Sequence, residues 1–339
     1  MDPVVLPPNQ LQRFYRGGRR IADLRRTGST DEYSPEEWIG STTPVFGHDS
    51  LGITVLPDGV PLPDAIAARP ETFLGPDHVQ AFGPDPRLLV KLLDAGERLP
   101  VHLHPDRPFA RAHLGSEFGK TEAWIIAEAE PGAAVHVGFR ADVAAATVAG
   151  WVAEQDTGAM LEALHEVAVA AGDVVFVPAG TPHAIGEGIL IVELQEPSDL
   201  SILLEWEGFA IDGPRHGHLG LGFDVALGAL DRSGWDEDRL RALARRRGDG
   251  DRAGVETLFP PEADGFFRAE RIRAAPSDLP AAFAVLLVMQ GRGVLHHRGG
   301  ELGLERGDAV LVPHGAGDCR LEGALEAVRC LPPDPAGGA

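Results

Sequence analysis

Gly96-Glu-Arg-Leu-Pro-Val-His102-Leu-His104, followed by Glu122 and then by Gly172-Asp173-Val-Val-Phe-Val-Pro178-Ala-Gly180-Thr-Pro-His183, decides the fold. Residues two apart on a strand face the same side, so His102 and His104 project together into an interior while Val101 and Leu103 point away. Glu122 opens a strand after a loop, and His183 stands just past a Pro-Ala-Gly turn. Two adjacent strands and a returning one would thus bring three imidazoles and one carboxylate to a point. Such a donor set suits one divalent metal ion with a coordination position left open, Zn first, with Mn, Fe, Co or Ni as alternatives.

The chain outside these motifs reads as mainly β. Short Val-, Ile- and Leu-rich runs bounded by Gly, Pro and Asp predict strands at 87–94, 99–103, 122–129, 133–137, 164–169, 174–177 and 189–195. Helices are expected at 62–68, 105–114 and 141–156, the last divided around Gly150, and Ser34-Pro-Glu-Glu-Trp38 fits a helical first turn or loop. Two connecting helices follow at 223–230 and 235–247, and the run 248–252 breaks the chain. More strands are predicted at 267–272, 283–290, 293–295, 302–304, 310–312 and 325–329. Here Gly307-Asp308-Ala-Val-Leu-Val-Pro313 repeats the spacing of Gly172-Asp173-Val-Val-Phe-Val-Pro178, a turn feeding an apolar strand that ends in Pro. The expectation is two jelly-roll β-barrels with inserted and connecting helices: a metal-binding unit over 1–222 with an N-terminal arm, a helical connector over 223–260, and a degenerate barrel over 261–339. The second copy lacks the His-x-His and the Glu, so it should hold no metal, and His296, His297 and His314 read as surface or packing residues.

Composition narrows the function classes. The 339 residues carry a formal charge of −21, which disfavours nucleic acid and anionic membrane. No window of about 18 apolar residues occurs and Met1 to Gln10 has no leader pattern, so the reading is a cytoplasmic protein, monomer or homodimer, acting on a small molecule. Cys319 and Cys330 read as free thiols. Of the 30 basic residues only Lys91 and Lys120 are lysine, and both lie near the metal motifs. A bias toward Arg spares lysine where a compact ammonium is needed, which singles out Lys120.

The two histidine motifs are those of the cupin superfamily. More narrowly, Glu37-Trp38-Ile-Gly-Ser41, Leu89-Val-Lys91-Leu-Leu-Asp94, Leu99-Pro-Val-His-Leu-His104-Pro105-Asp106, Gly119-Lys120-Thr-Glu122-Ala-Trp124, Pro178-Ala-Gly-Thr-Pro-His183 and Glu193-Leu-Gln195-Glu-Pro-Ser198-Asp199 resemble the type I phosphomannose isomerases. The likeness covers about residues 30 to 220 and is loose in the tail. It implies a zinc-dependent aldose–ketose isomerase that interconverts mannose 6-phosphate and fructose 6-phosphate through an enediolate. His102, His104, Glu122 and His183 would be the metal ligands, with Lys120 and Asp199 at proton-transfer or ring-opening positions. Glu193 and Gln195 share a strand and serve either catalysis or structural hydrogen bonding. Two departures stand out: the family has Gln where this chain has His102, and Arg where it has Leu203. Arg215 is the residue that would replace the missing guanidinium. The alternatives are isomerisation of a non-phosphorylated sugar, a cupin dioxygenase and a non-catalytic sugar-binding protein.

Overall fold

The computed structural model describes residues 1–28, 31–247, 253–273 and 276–335. Two antiparallel sheets close over the histidine motifs. The first has seven strands in the order Ala244–Arg245, Val174–Val177, Glu122–Ala129, Ile189–Gln195, Leu89–Ala95, Glu36–Ile39 and Gln10–Leu11. The second has five, in the order Ile202–Leu203, His102–Leu103, His183–Ile185, Ala134–Phe139 and Leu164–Ala168. Ile189–Gln195 and Leu89–Ala95 are buried at every position, including the polar and charged residues Lys91, Asp94, Glu193 and Gln195. Register places Gln195 opposite Glu122, Glu193 opposite both Trp124 and Lys91, and His183 opposite His102.

The C-terminal part forms one eight-stranded sheet built on two long strands, Ala284–His297 and Cys319–Leu331. The predicted strands at 283–290 and 293–295 are therefore a single strand. A register shift between Val288 and Gln290, followed by Gly291 at φ 74°, bends it without ending it. Val4–Val5 forms the far edge of this sheet, on Ala309–Val312, so the first residues of the chain belong to the second barrel. One apolar core runs through both, joining Trp124 and Ile191 to Phe267, Val285 and Leu311.

Several elements differ from expectation for identifiable reasons. Ser34 to Trp38 enters a strand, Glu36–Ile39, not a helix. The run 99–103 contributes only His102–Leu103, because Pro100 has no N–H to give a ladder. The 141–156 helix divides at Gln155, which adopts φ 50°, and Asp156 then caps Thr157–Ala163 by accepting from the Ala159 N–H; Gly150 stays helical. The 105–114 helix is Arg107–His113, capped by Asp106. The connector helices shorten to Phe223–Ala226 and Glu237–Leu243, and Ala244–Arg245 joins the first sheet. Residues 248–252 lie outside the described residues.

Candidate metal centre and active pocket

The five-stranded sheet supplies the imidazoles and the seven-stranded sheet the charged groups that face them. Each histidine Nδ1 lies against a backbone carbonyl: His102 against Pro100 at 2.8 Å, His104 against Leu200 at 2.8 Å and His183 against Thr181 at 2.9 Å. A carbonyl only accepts, so each Nδ1 carries its proton and each Nε2 is left unprotonated, with its lone pair directed to the site. Those atoms converge, one donor atom of each ring lying within 4.8 Å of the others. Among the described residues this is the one such group of three, and His296, His297 and His314 do not assemble.

Burial enforces neutrality. It pushes His104 and His183 down to about 3, aided at His104 by the Lys120 ammonium and opposed at both by Glu122. His102 moves the same way, through burial and the neighbouring His183. Glu122 places Oε2 3.0 Å from His104 Nε2 and Oε1 3.3 Å from His183 Nε2, and Trp124 Nε1 donates to that same Oε1 at 2.9 Å. His183 Nε2 is buried without a hydrogen-bond partner. Three neutral, converging nitrogen donors, one of them orphaned, beside a carboxylate are what a divalent cation requires, and a divalent ion fits them.

Lys120 reaches the same point. Its backbone N–H donates to Pro105 at 2.9 Å, and Gly119 before it is obligatory: a Cβ there would sit 2.6 Å from the Pro105 oxygen. The Lys120 Nζ lies 2.8 Å from His104 Nε2 and 3.3 Å from Glu193, and pairs with Glu122. Burial opposes its charge, yet Glu122 and Glu193 outweigh burial and raise it to about 12. Glu193 is pushed up to about 7 by burial, against the pull of Lys120 and Lys91. Gln195 donates to the carbonyls of Glu196 and Ser198 and is structural.

His102, His104, Lys120, Glu122 and Glu193 line a cavity of about 490 Å³ whose wall also includes Leu203, Arg215, Phe46 and Leu219. Asp199 lines it too, gripped by Arg13 at 3.2 and 3.3 Å. Arg215 sits on the exposed turn Gly213–His216, which is tied to Leu203 through the Leu203 N–H to Gly217 carbonyl bond of 2.8 Å. The structure brings six of the seven sequence-selected residues to the lining of one pocket, and sets the seventh, His183, against His102, His104 and Glu122. It adds three that the sequence reading missed: Arg13, Tyr15 and Glu36. Glu36 accepts from Arg13 at 3.0 Å, from Trp38 Nε1 at 2.7 Å and from Tyr15, whereas its neighbour Glu37, the residue in the family motif, turns the other way to Arg25. The alternation of a strand was the available signal for Glu36, and it was masked by reading 34–38 as a helical turn.

A family model, the cupin domain of mannose-6-phosphate isomerase, matches residues 274–332. It thus falls on the barrel whose likeness is loose by eye. The mannose-6-phosphate isomerase of Streptococcus mutans is 34% identical over 202 residues, 58% of this chain and 58% of that protein's length. The crystal structure of the Bacillus subtilis mannose 6-phosphate isomerase superposes with a TM-score of 0.74 at 22% identity, covering 97% of this chain and 99% of that one. A mannose 6-phosphate isomerase bound with zinc and yttrium gives 0.72 at 14% identity, covering 98% and 100%. At such identities the two structures speak for the fold, and the ordered motifs around the pocket agree with them. The family model, the relatives and the solved structures all point the same way: the chain is similar to the phosphomannose isomerases of the cupin superfamily and shares their fold.

Proposed function

We propose that the protein interconverts mannose 6-phosphate and fructose 6-phosphate, with one divalent metal ion, zinc in the first instance, held by His102, His104, Glu122 and His183. The observation that carries this reading is Lys120, a buried ammonium placed against His104, Glu122 and Glu193 beside the imidazole group. An oxygenase or a passive binding site has no evident use for it. The isomerisation moves a proton between carbons 1 and 2 and needs no outside oxidant. The metal, when bound, supplies positive charge for the oxygens of the enediolate.

The chain's own residues do the rest. At neutral pH Lys120 is an ammonium, so it donates to a substrate oxygen as negative charge develops there, rather than acting as a base. Glu193, near 7, is matched to taking a proton from one carbon and returning it to the next. Asp199, at the cavity wall, assists ring opening by exchanging a proton with the ring or anomeric oxygen. Arg215, for which no carboxylate partner stands among the described residues, takes the phosphate at the cavity mouth. The working division is a metal-binding unit over 1–222, a connector over 223–260 and a metal-free barrel over 261–339, with the first few residues crossing to that barrel.

A second reading keeps the chemistry and drops the phosphate, because Leu203, Phe46 and Leu219 make part of the wall apolar. Coupled assays with mannose 6-phosphate and with free mannose, lyxose or fructose separate the two. Turnover of the phosphorylated sugar is expected, and activity confined to free sugars would overturn the first reading.

A further inference from the structure

The N-terminal arm starts on one barrel and ends in the other's pocket. Val4 lies opposite Leu311, the Leu6 N–H donates to the Ala309 carbonyl at 2.8 Å, and the terminal ammonium donates to the Gly315 carbonyl at 3.3 Å. Arg13 then enters the pocket. Past it, a Cβ on Gly17 would meet the Asp94 oxygen at 1.8 Å, so the arm lies directly on the backbone of Leu89–Ala95. Helix Arg19–Arg25 turns the chain back to the second barrel. There Arg25 donates to the Gly307 carbonyl, as well as to Glu37 of the first sheet at 2.9 Å and to the Leu6 carbonyl of the arm at 3.0 Å, while Arg26 pairs with Glu305 and Asp308, each at 2.6 Å. The arm is thus anchored on both sides of Arg13.

Arg13 itself is built to hold something still. One guanidinium nitrogen bridges Glu36 and Asp199, the other reaches the second Asp199 oxygen, and the plane lies over Trp38 at 5.2 Å. Glu36 is fixed in turn by Trp38, Tyr15 and Lys91, the last at 3.6 Å. Apart from Arg13, Asp199 accepts only the Phe46 N–H, at 3.2 Å, among the described residues. Leu203 puts no guanidinium in this pocket, so the one that touches Asp199 comes from the arm. We propose that Arg13, delivered by an arm anchored on the metal-free barrel, is a positioning residue that holds Asp199 at the pocket; this rests on Asp199 taking part in the reaction proposed above.

The test compares full-length R13M, R13K, D199N and R13M/D199N, measuring kcat and KM for mannose 6-phosphate, bound metal, and a crystal structure of R13M. A misplaced proton-transfer group costs on the order of 10²-fold, so R13M should lower kcat by about that factor with KM and metal content within about threefold of the parent. R13K should recover about tenfold of the loss, since an ammonium keeps the charge without the two-pronged grip. In the D199N background R13M should change kcat by less than about threefold, because both act through one group. In the R13M crystal structure the Asp199 carboxylate should leave its place. Losses that multiply in the double variant, a loss confined to KM, or an unmoved Asp199 would each overturn the inference. If R13M does not fold, R13K and R13K/D199N are judged by the same criteria. Should the parent enzyme fail to turn over mannose 6-phosphate, the proposed function falls, while the position of Asp199 in the R13M structure still decides this inference.

Discussion

Replacing Lys120 by Met removes one ammonium from between Glu122 and Glu193 and tests the proton chemistry without replacing a proposed ligand. Breaking a buried ion pair by removing one partner costs about 3–5 kcal/mol when the remaining charge stays ionised. Here part of that cost is avoided, because Glu193 already stands at about 7 and takes up a proton once Lys120 no longer opposes burial. A carboxyl whose folded value exceeds its unfolded one loses stability as pH rises from the unfolded value, ordinarily 4.5, to the folded one. Removing Lys120 lifts that folded value further, so the variant's deficit should be smaller at pH 6 than at pH 8. Turnover behaves differently, since a positioned proton donor contributes about 10²–10⁴-fold. The assay is a coupled kinetic measurement on metal-loaded protein, with metal analysis and denaturant unfolding of the metal-free form at both pH values. We expect kcat to fall by that factor with one metal per chain retained. Turnover within about threefold of the parent, or metal lost together with turnover, would refute the reasoning.

His183→Ala removes a donor with no spare capacity around it, so bound metal and turnover should disappear together in metal analysis and kinetics. Arg215→Ala should raise KM for mannose 6-phosphate about tenfold, the lower end for a charge-assisted hydrogen bond near solvent, and leave any turnover of free mannose unchanged. For the metal-free protein, His104 and His183 stay neutral down to about 3 while unfolded histidines protonate near 6.5. The unfolded state then binds more protons across that window, and stability should fall as pH drops through it, by up to about 1.4 kcal/mol per pH unit per histidine. Glu193 and Glu37, both raised by burial, act in the opposite sense, but His102 and the lowered carboxyls Glu36 and Glu122 act with the two histidines. Denaturant midpoints between pH 7 and pH 4 check the sign, and a midpoint that rises on acidification would contradict it.

The convergence of the three imidazoles was legible because its determinants are local. Period-two alternation puts His102 and His104 on one face, and Gly-Asp and Pro-Ala-Gly turns mark where Val174–Val177 begins and where His183 follows. Lys120 was legible through composition, since lysine is so scarce in the chain. The arm was not. Arg13 lies 186 residues from Asp199 and Val4 pairs with Leu311, contacts that no periodicity encodes. The long strand Ala284–His297 was read as two because Gly291 and Gly293 look like a turn in one dimension. In the sheet they let the strand bend against Gly323, where a Cβ would sit 2.6 Å from the Gly293 Cα. Glu36 was hidden for a related reason: Ser-Pro-Glu-Glu is a good helix start, and pairing with Leu89–Ala95 overrides it.

The central claim is that this chain is a metal-dependent isomerase of a phosphorylated hexose. Its most direct test is the formation of fructose 6-phosphate from mannose 6-phosphate by the protein stripped of metal, before and after one equivalent of Zn is added. No turnover is expected before addition, and turnover in proportion to zinc bound, up to one ion per chain, after it. Turnover by the stripped protein, or none after zinc has bound, would contradict it.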